Sequence, residues 1–279
     1  MDIAQTDSGI EVSQEQLISS ILKDFDLVEC RPCSTPLEPG TNFKKCNDCS
    51  KCDMVDQKLY QSLIGSLTFL SVCTRPDIMH SVNKLAQYNT KPHAEHLTAA
   101  KHILRYLNST LNFKLKYFKK GEKLVGYVDA DWAGNLTDRK SYTGIAYFLG
   151  GAAITWESKK QPTIALSSTE AEYVALSSAS KEAVYLRRFI KELGFPNLVD
   201  LPTILNGDNI SAQKLAKKPV FHNRTKHIDI KTHYIREIVE KQIIELKYVP
   251  TDQMIADVFT KNLKKIKHKQ FTLCLGLNA

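Results

Sequence analysis

The chain has 279 residues, of which 43% are apolar and 24% charged, and a formal charge of +8. That length supports one large domain or two modest ones, and the composition excludes an intrinsically disordered chain. No apolar run reaches the 18 or so residues needed to span a membrane. The N-terminal Met1-Asp2-Ile3-Ala4-Gln5-Thr6-Asp7 lacks the basic and apolar regions of a secretory signal, so an intracellular, soluble protein with no membrane partner is expected. The excess charge is local: fourteen of the 38 Lys/Arg and six of the 30 Asp/Glu lie between Lys214 and Lys269, which leaves 24 of each elsewhere. A polyanionic partner for that segment is therefore worth testing.

Residues 1–56 read as an irregular lead-in with one short helix, Ser13 to Phe25, followed by a Pro/Cys/Gly/Asn-rich stretch from Arg31 to Asp53. Five of the seven cysteines fall here, as Cys30-x2-Cys33 and Cys46-x2-Cys49-x2-Cys52. Two CxxC pairs have zinc-ribbon spacing, so Cys30, Cys33, Cys46 and Cys49 are the candidate ligands, against unpaired loop thiols as the plainer reading. Tyr60, Leu63, Ile64, Leu67 and Leu70 then recur at helical spacing. Arg75-Pro76-Asp77 interrupts them, with Asp77 expected to cap a second helix through Ala86, and a third helix runs from Ala94 to Leu107. His96 and His102 on that helix read as packing residues.

From Leu111 the period changes to two, through Phe113, Leu115 and Tyr117, then Leu124 to Trp132, Tyr142 to Leu149 and Ala153 to Glu157. Turn residues at 135–140 and Gly150-Gly151 make this an antiparallel meander, with Trp132 and Trp156 expected in the core. A long helix follows from Ser168 to Leu193, closed by Gly194 and Pro196. The remainder alternates: strand Pro202 to Leu205, helix Ile210 to Lys217, a basic loop, helix Lys231 to Glu240, strand Ile243 to Val249, and a helix after Thr251-Asp252. The pattern predicts an α/β sheet with helices packed on it.

Four acids fit poorly on a solvated surface. Asp129 is mid-strand, where an unpaired carboxylate is costly. Steps of 4, 7, 11, 14 and 18 from Glu172 give Leu176, Ala179, Ala183, Leu186 and Ile190, so Glu172 lies on the buried stripe and Glu170 roughly 200° away. Asp208 stands where a strand meets a helix, as a ligand or as that helix's N-cap. Asp257 sits among apolar residues in Met254-Ile255-Ala256-Asp257-Val258-Phe259. Converging carboxylates repel unless cations neutralise them, and hard oxygen ligands select Mg²⁺ or Mn²⁺. Two such ions about 4 Å apart can activate water and stabilise the leaving oxygen of a phosphodiester.

These residues stand in strings that resemble the ribonuclease H domain at the end of copia-type retrotransposon Pol polyproteins. The strings are Asp129-Ala130-Asp131-Trp132-Ala133-Gly134, Asp138-Arg139-Lys140-Ser141, Gly144, Trp156 to Gln161, Ala165-Leu166-Ser167-Ser168-Thr169-Glu170-Ala171-Glu172-Tyr173, Asp208-Asn209, Arg224-Thr225-Lys226-His227-Ile228-Asp229 and Ala256-Asp257-Val258-Phe259-Thr260-Lys261. Upstream, Arg75-Pro76-Asp77-Ile78, Pro92, His96 and Arg105-Tyr106-Leu107 resemble the segment that follows the polymerase palm.

The resemblance implies a ribonuclease H-like mixed sheet, an antiparallel three-strand meander followed by parallel strands with flanking helices, preceded by a small, mostly helical segment. It divides the chain into a palm-edge remnant (1–56), a connection (57–120), the ribonuclease H-like domain (121–265) and a tail (266–279). It implies Asp129, Glu172, Asp208 and Asp257 as catalytic residues holding two Mg²⁺ or Mn²⁺ ions, with Asp131 as the rival to Asp129. The implied substrate is an RNA/DNA hybrid, its RNA strand cut to leave a 3′-hydroxyl, with phosphates held by Arg224, Lys226, His227 and Lys231. Other Pol domains are implied as partners. The family segment carries no zinc site, which favours loop thiols at Cys30 to Cys52. Gly207 and Ile210 depart from the family's usual Cys and Gln. Tyr127-Val128-Asp129-Ala130 lacks the second Asp of a polymerase Tyr-Xaa-Asp-Asp turn, so polymerisation is not expected. The alternative is a catalytically silent, nucleic-acid-binding remnant of the same fold.

Overall fold

The computed structural model describes residues 1–43, 54–119, 122–135, 137–217 and 229–279. The chain forms two compact units, one of Lys119–Thr260 and one that joins Met1–Phe118 to Lys261–Ala279.

In the first unit, strands β4 (Val125–Ala130), β5 (Tyr142–Leu149), β6 (Ala152–Lys160), β7 (Thr203–Gly207) and β8 (Ile244–Tyr248) form one sheet in the order β6-β5-β4-β7-β8. β4, β5 and β6 run as the expected antiparallel meander, and β7 and β8 add in parallel to β4. Helix α5 (Ser168–Glu192) covers β4 and β5. Its Ala171, Ala175, Ala179 and Ala183 are fully buried, and such small side chains let a helix approach a sheet closely. Tyr147 fills the space beside them and donates its hydroxyl to the Ala179 carbonyl at 2.6 Å. Val128, Ile145, Tyr173, Leu205 and Leu246 complete this core. Helices α6 (Ile210–Lys217) and α7 (Asp229–Glu240) also pack against α5. The fold class and the order of elements from β4 to β8 are those expected from the sequence, but the helix expected after Thr251-Asp252 is replaced by short 3-10 turns.

The other unit differs from expectation at both ends. The supposedly irregular start holds a hairpin, β1 (Asp2–Gln5) and β2 (Gly9–Ser13), before α1 (Glu15–Asp24). β3 (Lys114–Phe118), placed by periodicity ahead of the meander, pairs instead with β2. The expected tail contains helix α8 (Lys265–Cys274) and a two-residue strand, β9 (Leu277–Asn278), that completes the sheet β1-β2-β3-β9. Helices α2 (Gln57–Cys73), α3 (Met79–Ala86) and α4 (Ala94–Ser109) supply the core through Leu63, Leu67, Val82, Ile103 and Leu107.

Asp77 is not a helix cap. It is fully buried and receives two bonds from the buried Arg75 guanidinium, Nε to Oδ1 at 3.0 Å and Nη2 to Oδ2 at 2.7 Å. The Tyr106 hydroxyl donates to Oδ2 at 2.7 Å, and Arg75 also donates to the Thr110 carbonyl and hydroxyl. Burial alone would raise the Asp77 carboxyl, but the Arg75 charge and hydrogen bonds outweigh it and hold the carboxyl below its usual range. Such a group contributes stability that is complete above the unfolded value of about 4 and is lost as pH falls through the folded value. Asp77→Asn should therefore cost about 3–5 kcal/mol by leaving Arg75 an uncompensated buried charge. Denaturant unfolding at pH 7 and pH 3 checks it, the gap between native protein and variant narrowing at the lower pH.

Candidate metal centre

Asp129, Glu172 and Asp208 converge from three elements, β4, α5 and the turn after β7. One carboxylate oxygen from each lies within 4.8 Å of the other two. Asp129 and Glu172 are buried, 3% and 6% exposed, and Asp208 is half-buried. The parallel pairing of β4 with β7, Tyr127 opposite Asn206, brings Asp129 and Asp208 to the same end of neighbouring strands. Glu172 reaches them because it lies on the sheet-facing stripe of α5, one turn after its N-terminus. Glu170 does something else: Ser167 Oγ accepts from its N–H at 3.1 Å, and its own carboxylate accepts from Leu166 N–H at 2.8 Å, a reciprocal N-terminal cap.

Asp208 is not the cap of α6. That place belongs to Asn209, whose Oδ1 accepts from Ala212 N–H at 2.9 Å, and Asp208 Oδ2 accepts from the Thr251 hydroxyl at 2.7 Å. Asp131 lies outside the cluster, its Oδ1 accepting from Tyr142 N–H. β4 ends at Ala130, so the strand alternation that put Asp131 on the face of Asp129 has stopped before it.

Asp257 also lies outside the triad, fully buried on a 3-10 turn, Ile255–Phe259, where a longer helix was expected. The turn is fastened to the sheet at three points. Ser158 Oγ donates to the Phe259 carbonyl at 2.6 Å. Gly144, directly opposite Asp129 in register, provides the space: a Cβ there would sit 2.8 Å from the Ala256 carbonyl oxygen and 2.8 Å from Thr260 Cγ2. Thr260, which is buried, donates its hydroxyl to Asp129 Oδ2 at 2.5 Å. Thr260 and Gly144 were not singled out in the sequence as functional, although a hydroxyl three residues after Asp257 and a glycine mid-strand were both visible signals.

The remaining candidates are not brought to this centre by anything described. Cys33 Sγ lies 3.8 Å from His102 Nδ1 and Cys30 accepts from Asn108, while Cys46 and Cys49 lie outside the described residues. Arg224, Lys226 and His227 are likewise outside them, as is the side chain of Lys231. His96 packs as expected, stacked on Tyr88 at 3.9 Å, and burial pushes its imidazole down to about 4.

Three carboxylates sharing so small a volume, two of them buried, fit a hard divalent cation: anionic oxygen donors alone, with no nitrogen or sulfur in the set. Mutual repulsion would otherwise drive them apart.

No protein-family model matches the chain. It is 38% identical over 280 residues to the retrovirus-related Pol polyprotein from transposon TNT 1-94 of Nicotiana tabacum, covering 98% of this chain and 20% of the relative. To the Pol polyprotein from transposon RE1 of Arabidopsis thaliana it is 37% identical over 272 residues, covering 97% and 18%. Among solved structures, LC11-RNase H1 isolated from compost matches 50% of this chain and 93% of its own length at 19% identity and a TM-score of 0.39. The sheet order is that of the ribonuclease H-like mixed sheet expected from the sequence. The chain belongs to the Pol polyproteins of copia-type retrotransposons and spans about a fifth of the length of the two named here.

Thr260→Val removes the donor to a buried carboxylate and should cost about 1–3 kcal/mol, while Thr260→Ser should stay within about 1 kcal/mol of the native chain. Gly144→Ala should cost about 1–3 kcal/mol by pushing the 255–260 turn off the sheet. Urea unfolding of the three variants tests both statements.

Proposed function

We propose that the chain is a ribonuclease H that hydrolyses the RNA strand of RNA/DNA hybrids, using two Mg²⁺ or Mn²⁺ ions. The observation that carries this reading is the convergence of Asp129, Glu172 and Asp208 at one end of the sheet. When bound there, divalent cations supply a nucleophilic water and neutralise charge on the phosphate and leaving oxygen. The chain's own part is to fix the ligands. Asp129 is held by the strand and by Thr260, Glu172 by the capped first turn of α5, and Asp208 by the end of β7 and Thr251. Asp257, on the fastened turn, is the fourth acid of the reading; its segment reaches Asp129 through Thr260.

Arg224, Lys226, His227 and Lys231 are proposed to hold the phosphates of the hybrid, as the local charge excess suggests. The other domains of the polyprotein are the proposed partners. A hybrid-binding protein without catalysis is the second reading, and one assay separates the two.

Incubated with a labelled hybrid and Mg²⁺, the full chain should cut the RNA strand, and Asp129→Asn and Glu172→Gln should each lower the rate about 100-fold or more. Binding without cleavage supports the second reading, and equal cleavage by the variants contradicts the site. Arg224→Ala with Lys226→Ala should flatten the slope of log K against log salt by about 1–2, close to 0.9 for each phosphate no longer neutralised. An unchanged slope removes these residues from the interface.

A further inference from the structure

Trp132 was expected in the core, but it is 56% exposed. Its one polar atom is already used, because Nε1–H donates to the Ala165 carbonyl at 3.2 Å. What remains on the surface is aromatic carbon. The residues on either side are fixed. Asp131 N–H donates to the Tyr142 carbonyl at 3.2 Å, and its side chain accepts from Tyr142 N–H in return. Ala133, in the left-handed region at φ 55°, donates its N–H to Ser141 Oγ at 3.1 Å. Gly134 packs so close to Asp131 that a Cβ would overlap its carboxylate.

Across the hydrogen bond, Ile164 and Leu166 flank the buried Ala165 and are 53% and 77% exposed. The backbone of this loop is fastened too, since the Leu166 N–H is tied to Glu170 in the cap of α5. Three large apolar side chains are thus held in water on two pinned loops. An aromatic residue kept in solvent by its own hydrogen bond, with apolar neighbours on a rigid support, has no part in the core of this unit.

The loops lie where the carboxylates are. Thr143 pairs with Ala130, and Tyr142 with Lys160, so the loops after β4 and β6 leave the same end of the sheet. The first begins two residues after Asp129, and the second runs into the helix that carries Glu172. That end also carries the exposed cation Arg139, and Lys159, whose ammonium lies 3.5 Å from a Glu157 carboxylate oxygen. An apolar aromatic face, cations and a metal-fitting carboxylate cluster together suit a ligand with π-faces, sugar carbons and phosphates, and a nucleic acid strand supplies all three.

We infer that Trp132, flanked by Ile164 and Leu166, is a binding platform on which a nucleotide rests its base and sugar, next to the phosphate that divalent cations at the triad would hold. The inference deepens the ribonuclease reading and rests on it. Trp132 holds the strand in place and takes no part in proton transfer or metal ligation, so its loss acts on substrate binding.

The chain has two tryptophans, so Trp156→Phe leaves Trp132 as the sole indole reporter. Hybrid is titrated into this full-length variant in Ca²⁺, with the anisotropy of a labelled hybrid as an independent measure of binding. Indole emission should quench saturably along the same curve as the anisotropy. Trp132→Ala should weaken hybrid binding and raise KM about tenfold, with kcat within about threefold, and Trp132→Phe should restore most of the affinity. Binding without quenching, or Trp132→Ala binding within about twofold of the native chain, overturns the platform while leaving the ribonuclease reading standing. A native chain that neither binds nor cuts hybrid overturns that reading and the platform with it. Should Trp132→Ala fail to fold by circular dichroism, the quenching titration and Trp132→Phe decide.

Discussion

The repulsion among three carboxylates drawn to one end of the sheet is the constraint around which this unit is built. Asp129 and Glu172 are almost out of water, where like charges are least screened. The fold holds them there through elements that are each fastened to their neighbours. β4 is flanked on both sides, by β5 and β7. α5 is packed along the sheet through a row of alanines and capped at the end nearest the cluster. The turn carrying Asp257 is fastened through Ser158, Gly144 and Thr260. A divalent cation bound among the three carboxylates would offset the repulsion these features hold in place.

Most of this centre was legible in one-dimensional patterns. Glu172 could be separated from Glu170 because a 25-residue helix gives the 3.6-residue period enough turns to fix its phase. Asp129 stood out because a strand interior excludes unpaired acids. Asp208 was ambiguous because Asp and Asn both cap helices and stand side by side; only the hydrogen bond from Ala212 assigns the cap to Asn209. Asp131 could not be told from Asp129 by alternation, since that rule holds only while the strand lasts. Thr260 escaped notice because its partner is 131 positions away in sequence.

The misreadings have the same physical origin. β1 is exposed along its whole length, so it shows no alternation of buried and exposed residues to betray a strand. β3 looks like a meander strand by period, but its partners, β2 and β9, are remote in sequence. Asp77 has the composition of a cap, and only a buried guanidinium two residues earlier turns it into the centre of a hydrogen-bond network. Trp132 was assigned to the core because aromatic residues on strands usually are; the strand ends first, and the indole N–H finds its partner in a loop. Local chemistry was readable in each case, and the long-range partner was not.

Thermal unfolding of the full chain with and without Mg²⁺ tests most directly whether the triad is a divalent-cation site. Without the cation, Glu172→Gln should melt at or above the native temperature, because one repelling charge is gone. On adding Mg²⁺, the native chain should gain stability along a saturable curve while the variant gains little. Equal responses to Mg²⁺, or a native chain indifferent to it, would contradict the account.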